Sequence, residues 1–216
     1  MPRSFRLPRV YPLTDLQLSG LSHADQVHLL SLGGASLVQL REKQLLALQF
    51  YEQAKAAVNV AARHGVQLVI NDRVDVALAA GAHGVHLGQD DLPPQAARRL
   101  LGTEAIVGYS THSVEQAQRA LTLPINYLAI GPIFATSTKT DSSPTLGLEG
   151  LRAVRKVMGD MQLVAIGGIT LANAAAVIEA GADSVAVISA LLSEPNRVTE
   201  SIRSLVNSLP AIEFSL

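Results

Sequence analysis

The residues of this 216-residue chain that could do chemistry fall in short polar clusters, each placed directly after an apolar run. Gln39-Leu40-Arg41-Glu42-Lys43 carries two cations two positions apart. At the end of a strand that spacing puts Arg41 and Lys43 on one face, with Glu42 opposite, bracing the strand from outside. An Arg fork binds phosphate oxygens bidentately and a Lys adds a point charge, so the pair reads as an anion site. Lys139, with the hydroxyls of Thr136 and Thr138, could approach it from a long loop further along the chain.

Asn71-Asp72-Arg73 and Gly88-Gln89-Asp90-Asp91 end two successive units. Carboxylates at Asp72 and Asp91 beside a basic site suit Mg²⁺, which takes one or two carboxylates, waters and phosphate oxygens. Asp90 is an alternative ligand, and Asp90-Asp91 could instead cap the helix that Pro93 opens. Gly167-Gly168, after one strand, and Ser189, after the next, fit a cradle in which backbone N–H groups receive a second phosphate. Two anion sites imply two phosphorylated reactants or one bisphosphate. No Lys sits inside an apolar strand to form a Schiff base, and no acid–base carboxylate pair stands out. A Mg²⁺-bound pyrophosphate leaving group needs neither.

The elements that must position these clusters repeat. Apolar runs at 10–14, 37–41, 67–71, 84–87, 106–110, 127–131, 163–166 and 184–188 are rich in Val, Ile and Leu. Several lack polar alternation, as strands buried on both faces do. Amphipathic segments lie between them. Ser22 caps the first and Gly33-Gly34 stops it; a long one runs from 45 to 64; Pro93 and Gly102 bracket another. Ser113 with Gln116 signs a capping box, and further helices are expected at 171–180 and 199–208. Eight alternations predict an α/β fold, a single (β/α)8 TIM barrel filling one domain over 1–216, with the clusters at the C-terminal ends of its strands. A doubly wound sheet competes, but no Gly-x-Gly-x-x-Gly follows the first strand. Ala80-Gly81-Ala82-His83-Gly84-Val85 resembles Ala180-Gly181-Ala182-Asp183-Ser184-Val185, which reads as two turns with the same backbone needs.

Composition narrows the function. Charged residues are only 16% of the chain, 17 Lys and Arg nearly balance 18 Asp and Glu, and aromatics are 4% with no Trp. A nucleic-acid partner, which calls for a basic excess or stacking aromatics, is therefore not expected. The absence of Cys excludes disulfides, Cys-ligated zinc, iron–sulfur clusters and a Cys nucleophile. Arg3, Arg6 and Arg9 precede a segment broken by Pro12 and Asp15, not a signal-peptide core, and no apolar stretch reaches membrane length. The expectation is a cytoplasmic protein without a membrane partner, of a size compatible with a homodimer. His23, His28 and His64 read as surface residues of helices, and His83 sits in a turn. His86 and His112 fall at the rim without zinc-ligand spacing. His112 reads either as a proton-transfer group or as a neighbour of a helix cap.

These residues resemble the thiamine phosphate synthase family. The likeness runs from residue 11 to about 190, through Tyr11-Pro12-Leu13-Thr14-Asp15, Val38-Gln39-Leu40-Arg41-Glu42-Lys43, Ile70-Asn71-Asp72-Arg73 and Gly84-Val85-His86-Leu87-Gly88-Gln89-Asp90-Asp91. It continues through Gly108-Tyr109-Ser110-Thr111-His112-Ser113, Gly131-Pro132-Ile133-Phe134-Ala135-Thr136-Ser137-Thr138-Lys139, Gly147-Leu148-Glu149-Gly150-Leu151 and Ala165-Ile166-Gly167-Gly168-Ile169-Thr170. The resemblance implies a transferase that joins hydroxymethylpyrimidine pyrophosphate to hydroxyethylthiazole phosphate, dissociatively and with Mg²⁺. It implies that Arg41, Lys43, Asn71 and Lys139 hold pyrophosphate with Gln39 nearby, and that Asp72 and Asp91 bind Mg²⁺. Ser110 would stabilise the pyrimidine and leaving group. Thr136, Thr138, Gly168, Ile188 and Ser189 would hold the thiazole phosphate. His83 stands where the family usually has Asp, and Ala135 where Pro is frequent. The stretch 140–146 reads as a lid. The alternatives are a thiazole tautomerase on the same barrel, using His112, and a barrel that binds a phosphometabolite without turnover.

Overall fold

The computed structural model describes residues 5–136 and 144–210. Eight parallel strands close in sequence order: β1 (Val10–Thr14), β2 (Leu37–Leu40), β3 (Gln67–Asn71), β4 (Gly84–Leu87), β5 (Ile106–Thr111), β6 (Tyr127–Ile130), β7 (Gln162–Ile166) and β8 (Ser184–Val187). Register is continuous round the ring, for example Asn71 opposite His86 and Val10 opposite Val185. All residues of β1, β2, β4, β6 and β8 are buried, which is why their sequences run without polar alternation. Each buried Val, Leu or Ile contributes roughly 1.5–3 kcal/mol, enough in sum to override the sparse charge. The predicted barrel is the observed one.

The outer layer is α1 (Leu16–Ser19), α2 (His23–Leu32), α3 (Ala47–His64), α4 (Val74–Ala80), α5 (Pro94–Leu101), α6 (Val114–Ala120), α7 (Gly147–Met158), α8 (Ala174–Glu179), α9 (Ser189–Leu192) and α10 (Val198–Ser208). Ser22 and Ser113 cap as expected, accepting from Asp25 and Gln116 N–H groups. Boundaries move. β2 ends at Leu40 and β8 at Val187, while β5 runs on to Thr111. α8 starts three residues later than the apolar pattern suggests, because Asn173 turns back to accept from Thr170 N–H and donate to the Gly168 carbonyl. No helix among the described residues is long and apolar enough to cross a membrane.

The paired Ala-Gly-Ala turns share one device. Asp183 Oδ2 accepts from the Leu163 N–H at 2.7 Å, and His83 Nδ1 accepts from the Leu68 N–H at 3.1 Å. Each side chain takes a donor near the start of a neighbouring strand. Burial lowers the His83 pKa, which keeps the ring neutral and Nδ1 an acceptor. His83 therefore does an acceptor's work in its turn.

Candidate active site

The polar clusters converge at the C-terminal mouth of the barrel, where they line a cleft with two contiguous lobes. Ser110, His112, Ala129, Ile166 and Ala186 border both. The larger lobe, about 430 Å³, receives Gln39, Arg41, Lys43, Asn71, Asp72 and Asp91 from β2, β3, β4 and the loops that follow them. The smaller, about 50 Å³, is walled by Thr136, Gly167, Gly168, Ile188 and Ser189 after β6, β7 and β8. The two expected groups thus occupy separate lobes that meet at Ser110. Thr138 and Lys139 lie outside the described residues, as do 140–143 of the expected lid.

In the larger lobe the charged groups hold one another. Arg41 Nη1 lies 3.0 Å from Asp15 Oδ2, and Asp15 Oδ1 also accepts from the Gln17 and Leu18 N–H groups at 3.1 Å, starting α1. Lys43 Nζ pairs with Asp72 Oδ2 at 2.5 Å. Glu42 is absent from the cleft wall and faces the other way, as alternation demands. Its Oε1 accepts from the Lys43, Gln44 and Leu45 N–H groups, clamping the turn that carries Lys43. Burial works against its ionisation, but those three N–H groups and His23 outweigh it and hold the carboxyl below its ordinary range.

Three expectations need correction or choice here. His23 is not a surface residue: it is fully buried, with Nδ1 2.7 Å from the Thr14 hydroxyl and Nε2 3.4 Å from Glu42. As the first residue of α2 it faces the end of β1 rather than solvent. Burial lowers its pKa, against the opposing pull of Glu42. Second, Asp90-Asp91 does not cap α5, whose N-cap is Pro93 with no side-chain bond. Asp91 Oδ2 instead accepts from Gly88 N–H at 2.7 Å, folding its own loop back toward the mouth. Third, His112 Nδ1 lies 2.6 Å from the Gly131 carbonyl and donates to it, and its backbone N–H donates to Gln116 Oε1 at 2.7 Å, which makes it a neighbour of the α6 cap.

Asp72 has φ +63°, a left-handed conformation uncommon outside glycine and tolerated best by Asn and Asp. Its N–H donates to the His86 carbonyl at 2.8 Å, so the β3–β4 ladder persists to the site. Burial raises the Asp72 pKa; Lys43 pulls it down and the Asp91 carboxylate pushes it up again. Two carboxylates that repel each other at the wall of this lobe form a donor set suited to a divalent cation. No group of three or more His, Cys, Asp or Glu forms among the described residues. A metal here would complete its shell with water and ligand oxygens.

Along the wall of the larger lobe runs a chain of polar groups that no local spacing predicts, with Gln39, Tyr11, His86 and Ser110 facing the lobe and Tyr127 behind them. Gln39 Nε2 donates to Tyr11 OH at 3.2 Å, Tyr11 OH lies 2.9 Å from Tyr127 OH, and Tyr127 OH lies 2.9 Å from His86 Nδ1. His86 Nε2 reaches Ser110 Oγ at 2.8 Å. The rings pack as well, Tyr11 edge-on to Tyr127 and Tyr127 stacked on His86. Burial raises both phenols well above their ordinary value, so they stay protonated. The available signal was a polar ring inside an otherwise apolar buried strand, which requires a partner.

The smaller lobe is walled in part by a glycine turn. Gly167 (φ +103°) and Gly168 (φ +63°) turn under the loop after β6, where the Phe134 N–H donates to the Gly167 carbonyl. A Cβ on Gly168 would sit 2.5 Å from the Ala135 carbonyl oxygen. Glycine is demanded there twice, by dihedral and by contact.

Comparison with known proteins agrees with this geometry. The family profile described as thiamine monophosphate synthase matches residues 10–191. A thiamine-phosphate synthase of Albidiferax ferrireducens is 50% identical over 196 residues, 90% of this chain and 89% of the relative. One from Chloroflexus aurantiacus is 47% identical over 198 residues, 91% of this chain and 90% of the relative. The structure of a thiamine phosphate pyrophosphorylase from Pyrococcus furiosus superposes with a TM-score of 0.83 at 33% identity, covering 93% of this chain and 94% of that one.

Proposed function

The chain belongs to the thiamine monophosphate synthase family, and from that premise we propose that it condenses hydroxymethylpyrimidine pyrophosphate with hydroxyethylthiazole phosphate to give thiamine phosphate and pyrophosphate. The observation that carries this reading is the two-lobed cleft, with cations and carboxylates in one lobe and a glycine turn in the other.

In the larger lobe Arg41, Lys43 and Asn71 would bind the pyrophosphate with Gln39 nearby; Lys139, outside the described residues, is assigned to the pyrophosphate by the family resemblance alone. Asp72 and Asp91 would hold Mg²⁺, which supplies Lewis-acid neutralisation of the leaving pyrophosphate. Lys43 already pairs with Asp72, so a dianionic ligand arriving at Arg41 can draw the ammonium to itself and leave the carboxylate to the metal. The C–O bond to pyrophosphate breaks with its electron pair leaving on oxygen. The resulting pyrimidinylmethyl cation is captured by the thiazole nitrogen, forming the C–N bond. Thr136, Gly168, Ile188 and Ser189 of the smaller lobe would fix the thiazole phosphate, with Ser110 at the border of the two lobes; Thr138, outside the described residues, is assigned to the same phosphate by the family resemblance alone. A tautomerase would have no use for the paired cations and carboxylates of the larger lobe.

The test is a coupling assay. Purified protein, both substrates and Mg²⁺ should release thiamine phosphate and pyrophosphate in equal amounts, and EDTA should stop both. Folded protein that forms neither product overturns the synthase reading; product formation unaffected by EDTA overturns the metal alone.

A further inference from the structure

Each link in the buried chain Gln39–Tyr11–Tyr127–His86–Ser110 joins groups with a limited number of hydrogens, and the chemistry of its first member fixes the order of the rest. The amide nitrogen of Gln39 only donates, so Tyr11 OH accepts from it. Tyr11 has a single hydrogen and is buried, and its other partner, Tyr127 OH at 2.9 Å, receives it. Tyr127 then donates to His86 Nδ1. A neutral imidazole whose Nδ1 accepts carries its proton on Nε2, and Nε2 donates to Ser110 Oγ at 2.8 Å. The opposite order would set the Tyr11 hydrogen against the Gln39 amino group, two donors face to face.

We infer that this chain aims the Ser110 hydroxyl, so that Ser110 accepts from behind and gives its own hydrogen to the ligand in the cleft, with Tyr11, Tyr127 and His86 as positioning residues. Ser110 borders both lobes. On the function proposed above, a donor at that junction faces the oxygen on which negative charge grows as the C–O bond breaks. In the other tautomer Nε2 would accept, and the Ser110 hydrogen would point at His86 instead of the ligand. The space the chain occupies is kept clear by Gly108 on β5. A Cβ there would lie 2.1 Å from Tyr127 Cζ and 2.5 Å from His86 Nδ1.

Two measurements test the inference, and only the second rests on the synthase reading. The ¹⁵N spectrum of histidine-labelled protein should show His86 neutral and protonated on Nε2. A ring protonated on Nδ1 alone, or on both nitrogens at neutral pH, overturns the hydrogen order whatever the protein catalyses. In the coupling assay Tyr127→Phe should lower kcat roughly 10–100-fold with KM for both substrates within about twofold, since the binding groups are untouched. Ser110→Ala should lose a similar factor, and the double variant should be no slower than Ser110→Ala. Losses that multiply in the double variant would assign Tyr127 a merely structural part and overturn the inference. Should Tyr127→Phe not fold, Tyr11→Phe serves the same cycle with a smaller loss, because Tyr127 can still donate to His86. A protein inactive in the assay whose His86 carries its proton on Nε2 would sink the synthase reading and leave the hydrogen order standing.

Discussion

At the ends of β2, β3 and β4 the cleft is lined by charged side chains that hold one another, whereas after β6, β7 and β8 it is lined by a glycine turn and, among the described residues, by no Asp, Glu, Lys or Arg. Arg41 is fixed by Asp15, Lys43 by Asp72, and Asp91 by the Gly88 N–H. The glycine turn beside them is fixed by dihedrals and by the loop packed on top of it. The difference matches what each lobe would bind. A pyrophosphate whose charge grows during reaction needs strongly charged partners that are placed in advance. A phosphate that is only a handle needs N–H groups at fixed positions. Individual side chains should therefore dominate the energetics of the first lobe, and backbone shape those of the second.

The widest separation should come from Asp72→Ala. Loss of a carboxylate from the metal pair is expected to lower Mg²⁺-dependent turnover by about 10³-fold or more, while thiazole phosphate binding by calorimetry stays unchanged. Full turnover in that variant removes the metal role. Arg41→Lys keeps the charge but not the fork, and an ammonium cannot both satisfy Asp15 and grip a phosphate bidentately. Its KM for the pyrimidine pyrophosphate should rise roughly 10–100-fold, with KM for the thiazole phosphate unmoved. An equal rise in both constants would mean that the lobes do not act separately. Gly168→Ala is the converse experiment. It should weaken thiazole phosphate binding and cost about 1–3 kcal/mol of stability, measured by denaturant titration, and leave pyrimidine pyrophosphate binding within twofold.

The smallest effect concerns the support beneath the first lobe. His23 is held neutral in the fold by burial, so the unfolded chain takes up a proton that the folded chain refuses. Its contribution is full above the ordinary histidine pKa of about 6.5 and is lost as pH falls below it. Glu42, held low, adds a loss of the same sign at more acid pH. The melting temperature should fall by roughly 2–4 °C between pH 7 and 5.5, and His23→Gln should remove part of that fall, with His83, also kept neutral by burial, carrying another part. An unchanged slope in the variant would assign the acid sensitivity elsewhere.

Legibility differed between these regions for a physical reason. The barrel could be read because strands buried on both faces leave uninterrupted Val, Ile and Leu runs, and eight of them alternate with helical segments. The polar clusters could be placed because parallel barrels gather chemistry at strand ends, so Arg41, Asp72 and Gly168 were expected at the mouth and line the cleft there. Element boundaries slipped where a side chain intervened, as Asn173 does before α8. The surface assignment of His23 failed because a helix residue's face depends on what lies opposite, and Thr14 and Glu42 come from other units.

By itself the sequence determined the period, the eight strand–helix units, the grouping of the polar clusters at strand ends and the family. Those follow from local composition and from residue types at short spacing. Only the tertiary structure decided which buried polar groups complete one another. Tyr11 and Tyr127 are 116 residues apart and His86 lies 41 from Tyr127, yet their polar atoms meet at 2.9 Å. The direction of a hydrogen bond depends on the last donor and acceptor in its chain, and closing the barrel is what brought those ends together.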